Sequence, residues 1–116
     1  MAGGGFPTFY SHAGTNKIQF IPGVGVQLYT DNGSALLTWE KYAASRVSGT
    51  TYIFRDGALL TSFADTTNYA NTLFYVGHQA NGAYNAVMGS MGQIRITKAG
   101  RYTSAYNACS GAFATN

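Results

Sequence analysis

The chain has 116 residues, of which 9% are charged, 15% are aromatic and fifteen are glycine. That length suits one domain with a modest core, and so little charge implies a neutral surface fitted to sugar contact or subunit packing. The net charge of +3 reflects seven Lys and Arg against four acids, spread without the concentrated basic patch that nucleic-acid binding needs.

Strand signals recur along the chain, and turn signals separate them. The expected strands are Lys17–Phe20, Val24–Thr30, Ser34–Leu37, Lys41–Val47, Thr50–Arg55, Ala58–Ala64, Leu73–Gly77 and Gln93–Thr97. Between them lie Asp31-Asn32-Gly33, Ser48-Gly49, Asp56-Gly57 and Asn81-Gly82, residue pairs that favour tight hairpins because they tolerate positive φ. In Thr50–Arg55, Tyr52 and Phe54 share one face while Thr51, Ile53 and Arg55 share the other. Apolar groups on both faces suit a strand covered on both sides or lying at a subunit contact. Arg55-Asp56-Gly57-Ala58 reads as a hairpin with a type I′ turn.

Residues 1–116 read as a single β-sandwich domain, with 1–14 a glycine-rich N-terminal arm that has too much glycine to order itself without something to pack against. Two polar loops, Asp65–Asn71 and His78–Met88, are rich in Asn, Thr, Tyr and Gly. Their Tyr69, Asn71, His78, Asn81, Tyr84 and Asn85 are the candidates for glycan or partner contact. A sugar ring stacks its apolar face on an aromatic while amides meet its hydroxyls, and neutral subunit interfaces are enriched in Tyr as well.

Four stretches then fall in an order that resembles a known family. Trp39-Glu40-Lys41-Tyr42-Ala43-Ala44-Ser45-Arg46 resembles the "W-h-h-V-A-x-x-R" strand of concanavalin A-like (laminin G-like) jelly rolls. Thr51 to Gly57 resembles their "L-x-L-F-V-D-G" hairpin, and Leu73 to Gly77 their "L-Y-I-G" strand. Gly89 to Tyr106, GSMGQIRITKAGRYTSAY, resembles their closing segment in the form common in tail, fibre and virion proteins of tailed bacteriophages. The resemblance covers Trp39 to Tyr106 and implies an all-β, shortened concanavalin-like antiparallel jelly-roll sandwich. It gives structural roles to Trp39, Asp56, Gly57, Gly77, Arg95, Arg101 and Tyr102, with Trp39 buried and Tyr102 an anchor at the core or its edge. Only the C-terminal half of the family domain is matched. A half-sandwich exposes apolar faces and strand edges, so a homo-oligomer or assembly onto another protein is expected.

Chemistry has little support. Glycoside hydrolysis needs two carboxyl groups flanking one bond, and the acidic strand of the glucanases on this fold has no counterpart here. The acidic pair that commonly precedes the closing strand is replaced by Gly92-Gln93, which leaves few oxygen ligands for calcium. His12 and His78 are far in sequence from Cys109, and no Ser sits in a nucleophile-elbow context. No catalytic, cofactor or metal residue is therefore expected. One Cys excludes an internal disulfide, no apolar run is of membrane-spanning length, and MAGGGFPTF is not a secretory signal. The resemblance points to a non-enzymatic structural protein of a tailed-phage virion: a capsid decoration or head-fibre subunit, or a small tail-fibre or tail-tip component. It would be made in the host cytoplasm and carried in the virion, with capsid or tail proteins as partners and neither nucleic acid nor membrane. The alternative is a glycan-binding module for host surface polysaccharide, using the Tyr69–Asn85 loops.

Overall fold

A computed structural model describes residues 8–12, 17–21, 29–33, 38–69 and 90–108. The described residues are all-β, with six strands in two separate three-stranded antiparallel sheets. The chain divides into two compact units, one comprising Met1–Thr38 with Thr67–Ser90 and the other Trp39–Thr66 with Met91–Asn116.

In the first unit, β1 (Thr8–His12), β2 (Lys17–Ile21) and β3 (Tyr29–Asp31) pair in that order. β2 is the central strand, with Phe9 opposite Phe20 and Phe20 opposite Tyr29. Phe20 is buried, and Gln19 beside it is nearly so. The Gln19 amide donates to Thr30 Oγ1 at 2.9 Å. After β3 the chain turns at Asp31, whose Oδ1 accepts the Gly33 N–H at 2.8 Å, an Asx turn. β1 lies within the glycine-rich arm and is an element the sequence pattern does not announce. Strands expected at Ser34–Leu37 and Leu73–Gly77, and the first part of Val24–Thr30, fall outside the described residues.

The second unit is built on two consecutive hairpins. β4 (Tyr42–Val47), β5 (Thr50–Arg55) and β6 (Ala58–Ala64) pair in sequence order, matching the expected strands at every boundary but the start of β4. The links are Ser48-Gly49, at φ 48° and 75°, and Asp56-Gly57, at φ 50° and 85°. Positive φ at both central residues is what a type I′ turn requires, and its twist suits the flanking strands. Thr, Tyr, Ile and Phe fill β5, residues that pack well on a pleated surface. Phe54 on one face and Thr51 and Ile53 on the other are all buried, so β5 is covered on both sides.

The two turns also fix which backbone groups face outward. A two-residue hairpin makes Val47 with Thr50 and Arg55 with Ala58 hydrogen-bonded pairs, and pairing then alternates along the ladder. The Asp56 N–H donating to Lys41 O and the Asp65 N–H donating to Gly49 O, both at 2.8 Å, agree with that phase. Ala44 and Arg46 therefore direct their backbone groups off the β4 edge, and Ser62 and Ala64 off the β6 edge. Leu60 is an extra residue in β6, a bulge opposite the Ile53–Phe54 step.

Alternation in the sequence predicts a strand at Gln93–Thr97, and the structure does not form one. These residues are irregular, although Ile94 and Ile96 alternate as strand residues do. Alternation orients side chains, but a strand also needs a partner strand, and none is present among the described residues. Trp39 departs from expectation too: it is 71% exposed rather than buried. The Lys41–Asp56 pair closes the β4–β5 ladder at Lys41, since Asp56 Oδ1 also takes the Lys41 N–H at 2.9 Å. Trp39 lies beyond that closure.

Candidate functional site

The best-defined arrangement in the second unit is a strap, residues 100–108, laid on the β4–β5–β6 sheet. It starts at the β4 edge. Ser45, paired with Tyr52, shares the face of Tyr52 and Phe54. Its Oγ accepts two backbone donors, Arg101 N–H at 2.9 Å and Tyr102 N–H at 3.0 Å. Gly100 sits so near Arg46 that a Cβ there would meet the Arg46 carbonyl oxygen and the Val47 side chain. Only a residue without a side chain permits that approach.

From there the strap crosses Phe54. Tyr102 meets the Phe54 ring edge-on at a centroid distance of 6.1 Å, and Tyr106 does so at 5.3 Å. The two tyrosines stack on each other at 3.8 Å with planes 7° apart. At its far end the Tyr106 N–H donates to Gly57 O at 2.9 Å. A Cβ on Gly57 would collide with the Tyr106 carbonyl oxygen and lie 3.1 Å from Ala108 N. Gly57 thus serves the turn and the docking together. The conformation of the strap is set by contacts with residues about 50 positions earlier, so no local pattern reveals it. Of its residues, only Arg101 and Tyr102 are singled out by the sequence.

The remaining sequence candidates divide clearly. Asp56 and Gly57 form the β5–β6 turn. Arg101 takes part through its backbone N–H, with its side chain exposed, and Arg95 is half-buried in the irregular segment. Tyr69 is half-buried at the end of the stretch that follows β6. Asn71, Gly77, His78, Asn81, Tyr84 and Asn85, and with them most of the polar loops expected to make glycan contact, lie outside the described residues.

All four acidic side chains of the chain can be located, and each accepts a structural hydrogen bond. Asp31 takes the Gly33 N–H and Asp56 the Lys41 N–H, as described above. Glu40 Oε2 accepts the Tyr42 hydroxyl at 3.1 Å. Asp65, buried, accepts the Thr51 hydroxyl at 2.8 Å and so ties the end of β6 to β5. Among the described residues no group of three or more His, Cys, Asp or Glu could hold a metal ion. No helix of the described residues is long and apolar enough to cross a membrane.

Exposed apolar surface is expected of a half-sandwich, but the sequence does not say which residues form it, and in this unit the structure does. Trp39 is 71% exposed, Ile96 66%, Ile94 52%, Met91 48% and Leu59 42%. Three of the five fall within Met91–Ile96, and Gly92 lies against the Trp39 indole, where a Cβ would be 3.7 Å from the ring. A single exposed apolar residue is ordinary, but a concentration of large ones marks a surface used for binding.

Comparison of the chain with protein-family models, with curated proteins and with solved structures finds no match.

Proposed function

We propose that this chain is a non-enzymatic structural subunit of a tailed-phage virion, a small β protein that joins a particle by burying apolar surface and pairing strand edges. The observation that carries the reading is the exposure of Trp39, Leu59, Met91, Ile94 and Ile96 in the unit that holds most of the stretch resembling virion proteins. Moving such side chains out of water yields roughly 25 cal/mol per Å² of apolar area, and assembly onto a neighbour is a direct way to obtain it. The scarcity of charge agrees with this, because interface centres are depleted of Lys, Glu and Asp. The structural employment of Asp31, Glu40, Asp56 and Asp65 argues in the same direction, since a hydrolytic site would need carboxylates available to substrate. Within this reading a capsid decoration or head-fibre subunit is favoured over a tail-fibre part, with capsid or tail proteins as partners. Antibody raised against the purified chain would be applied to density-gradient fractions from a lysate of its native host. Gold label at a fixed place on phage particles is the expected result; antigen confined to soluble fractions refutes the reading.

A second reading, a glycan-binding module, gains one observation. The open indole of Trp39 is a surface on which the apolar face of a sugar can stack, and it sits outside the Tyr69–Asn85 loops. Glycan-array binding abolished by Trp39→Ala, with the fold intact, would favour this module. Equal retention by the variant and the parent chain would remove Trp39 from consideration.

A further inference from the structure

The strap sets two phenol rings face to face. Tyr102 and Tyr106 stack with centroids 3.8 Å apart and planes 7° from parallel. Aromatic pairs ordinarily settle edge-on or offset, with centroids about 4.5–7 Å apart, so a stack this close is imposed by its surroundings. Each ring packs edge-on with the buried Phe54. The backbone is pinned at both residues, at Tyr102 by the Ser45 hydroxyl and at Tyr106 by the Gly57 carbonyl. Both tyrosines are half-buried, and Thr103, Ser104 and Ala105 between them are exposed. The pair is therefore held rigidly and still open to a small oxidant.

We propose that Tyr102 and Tyr106 form a modification site, at which peroxide oxidation joins their rings as a dityrosine and locks the strap in its docked shape. Each phenol gives up one electron and its hydroxyl proton, and together they reduce one hydrogen peroxide to two waters. The unpaired electron of each phenoxyl spreads over its oxygen, its ortho carbons Cε1 and Cε2, and Cγ. Cγ carries the side-chain stem, so the ortho carbons couple. One Cε–Cε bond forms, and the proton on each joined carbon moves to its own phenolic oxygen, which restores both phenols. The product lacks two hydrogens and gains no atom.

The stack suits this step because the new bond grows from p orbitals that stand perpendicular to the ring planes. Near-parallel rings aim those orbitals at each other, and holding reacting atoms in such an arrangement is itself a rate advantage. The edge-on Phe54 contacts lack that alignment, and Phe54 has no hydroxyl to oxidise. The bond closes a loop from Tyr102 to Tyr106 in the geometry that meets Phe54 and Gly57. A strap restrained in this way has less freedom to lose on docking, so the crosslink stabilises the docked state. The modification is independent of the virion reading and stands or fails without it.

The test uses the full chain at low concentration in a Cys109→Ser background, which removes the one thiol that competes for oxidant. It is treated with a haem peroxidase and limiting hydrogen peroxide, then digested with trypsin. Cleavage after Arg101 releases residues 102–116 as one peptide, since no Lys or Arg follows. That peptide is expected to show dityrosine fluorescence, a loss of two hydrogens and no fragmentation between Tyr102 and Tyr106. Its yield should exceed that of the urea-unfolded chain by about tenfold or more, and the crosslinked chain should melt higher than the untreated one. Tyr102→Phe and Tyr106→Phe each keep a ring in the stack and should each abolish the product, with circular dichroism unchanged. An unmodified 102–116 peptide, or equal yields from native and unfolded chain, overturns the proposal. So does a crosslinked chain that melts no higher, which would leave the strap unlocked.

Discussion

Gly57→Ala is the most informative single substitution, because two separate costs fall on one methyl group. The first is conformational. Gly57 has φ 85°, where an L-residue is disfavoured by about 1–2 kcal/mol. The second is steric. The new Cβ would collide with the Tyr106 carbonyl oxygen, so the end of the strap must retreat. Retreat breaks the Tyr106–Gly57 hydrogen bond, worth about 1 kcal/mol. It also disturbs the edge-on contact of Tyr106 with Phe54, worth about 0.5–1.5 kcal/mol beyond simple burial. The expected loss is about 3 kcal/mol, a fall in melting temperature of roughly 10–15 °C for a domain near this size. Gly49→Ala is the matched control. Its φ is 75° in the equivalent turn, but a Cβ there would only touch Thr66 Cγ2 at an ordinary 3.9 Å. It should cost the conformational part alone, about 1–2 kcal/mol. Urea unfolding of both variants, compared at constant m value, reads the difference directly. Equal destabilisation by the two substitutions would refute docking of the strap on the β5–β6 turn.

Three other substitutions test separate parts of the unit. Ser45→Ala removes the acceptor shared by the Arg101 and Tyr102 N–H groups and should cost about 1–3 kcal/mol, with amide exchange at those two positions speeding up before that of β5. Unchanged exchange there would show that Ser45 does not hold the strap. Asp65→Ala leaves the Thr51 hydroxyl without its buried carboxylate partner and should lower urea stability by about 1–3 kcal/mol. Asp65→Asn keeps an acceptor and should cost less, and the reverse order would contradict the assigned bond. Trp39→Ala should change stability by no more than about 0.5 kcal/mol, as substitutions at exposed positions usually do. A large loss in thermal unfolding of the isolated chain would mean the indole is packed.

What could be read from the residues divides along the line between local and distant causes. The β4–β5–β6 ladder was legible because Ser48-Gly49 and Asp56-Gly57 are local turn signals that fix register by themselves. Two-sided burial of β5 was legible in the opposed placement of Phe54 and Ile53. β1 was hidden by the glycines before it, and its strand character comes from pairing with β2. The reverse holds at Ile94 and Ile96, where a strand-like alternation has no strand beside it among the described residues. Trp39 misled for a related reason: its large apolar ring suggested the core, but the ladder closes at Lys41 before reaching it. The strap was out of reach of any local reading, since Ser45 and Gly57 meet residues about 50 positions away. Among the candidate contact residues only Tyr69 falls in the described structure, and the apolar surface around Trp39 and Met91–Ile96 emerged from exposure alone.

The central claim is that this chain works by covering its apolar surface with other subunits. Static light scattering of the purified chain across a range of concentrations tests it most directly. The account predicts a discrete closed oligomer that persists on dilution and loses mass when Ile94 and Ile96 are both replaced by Ser. A well-folded monomer at every concentration, insensitive to those replacements, would contradict it.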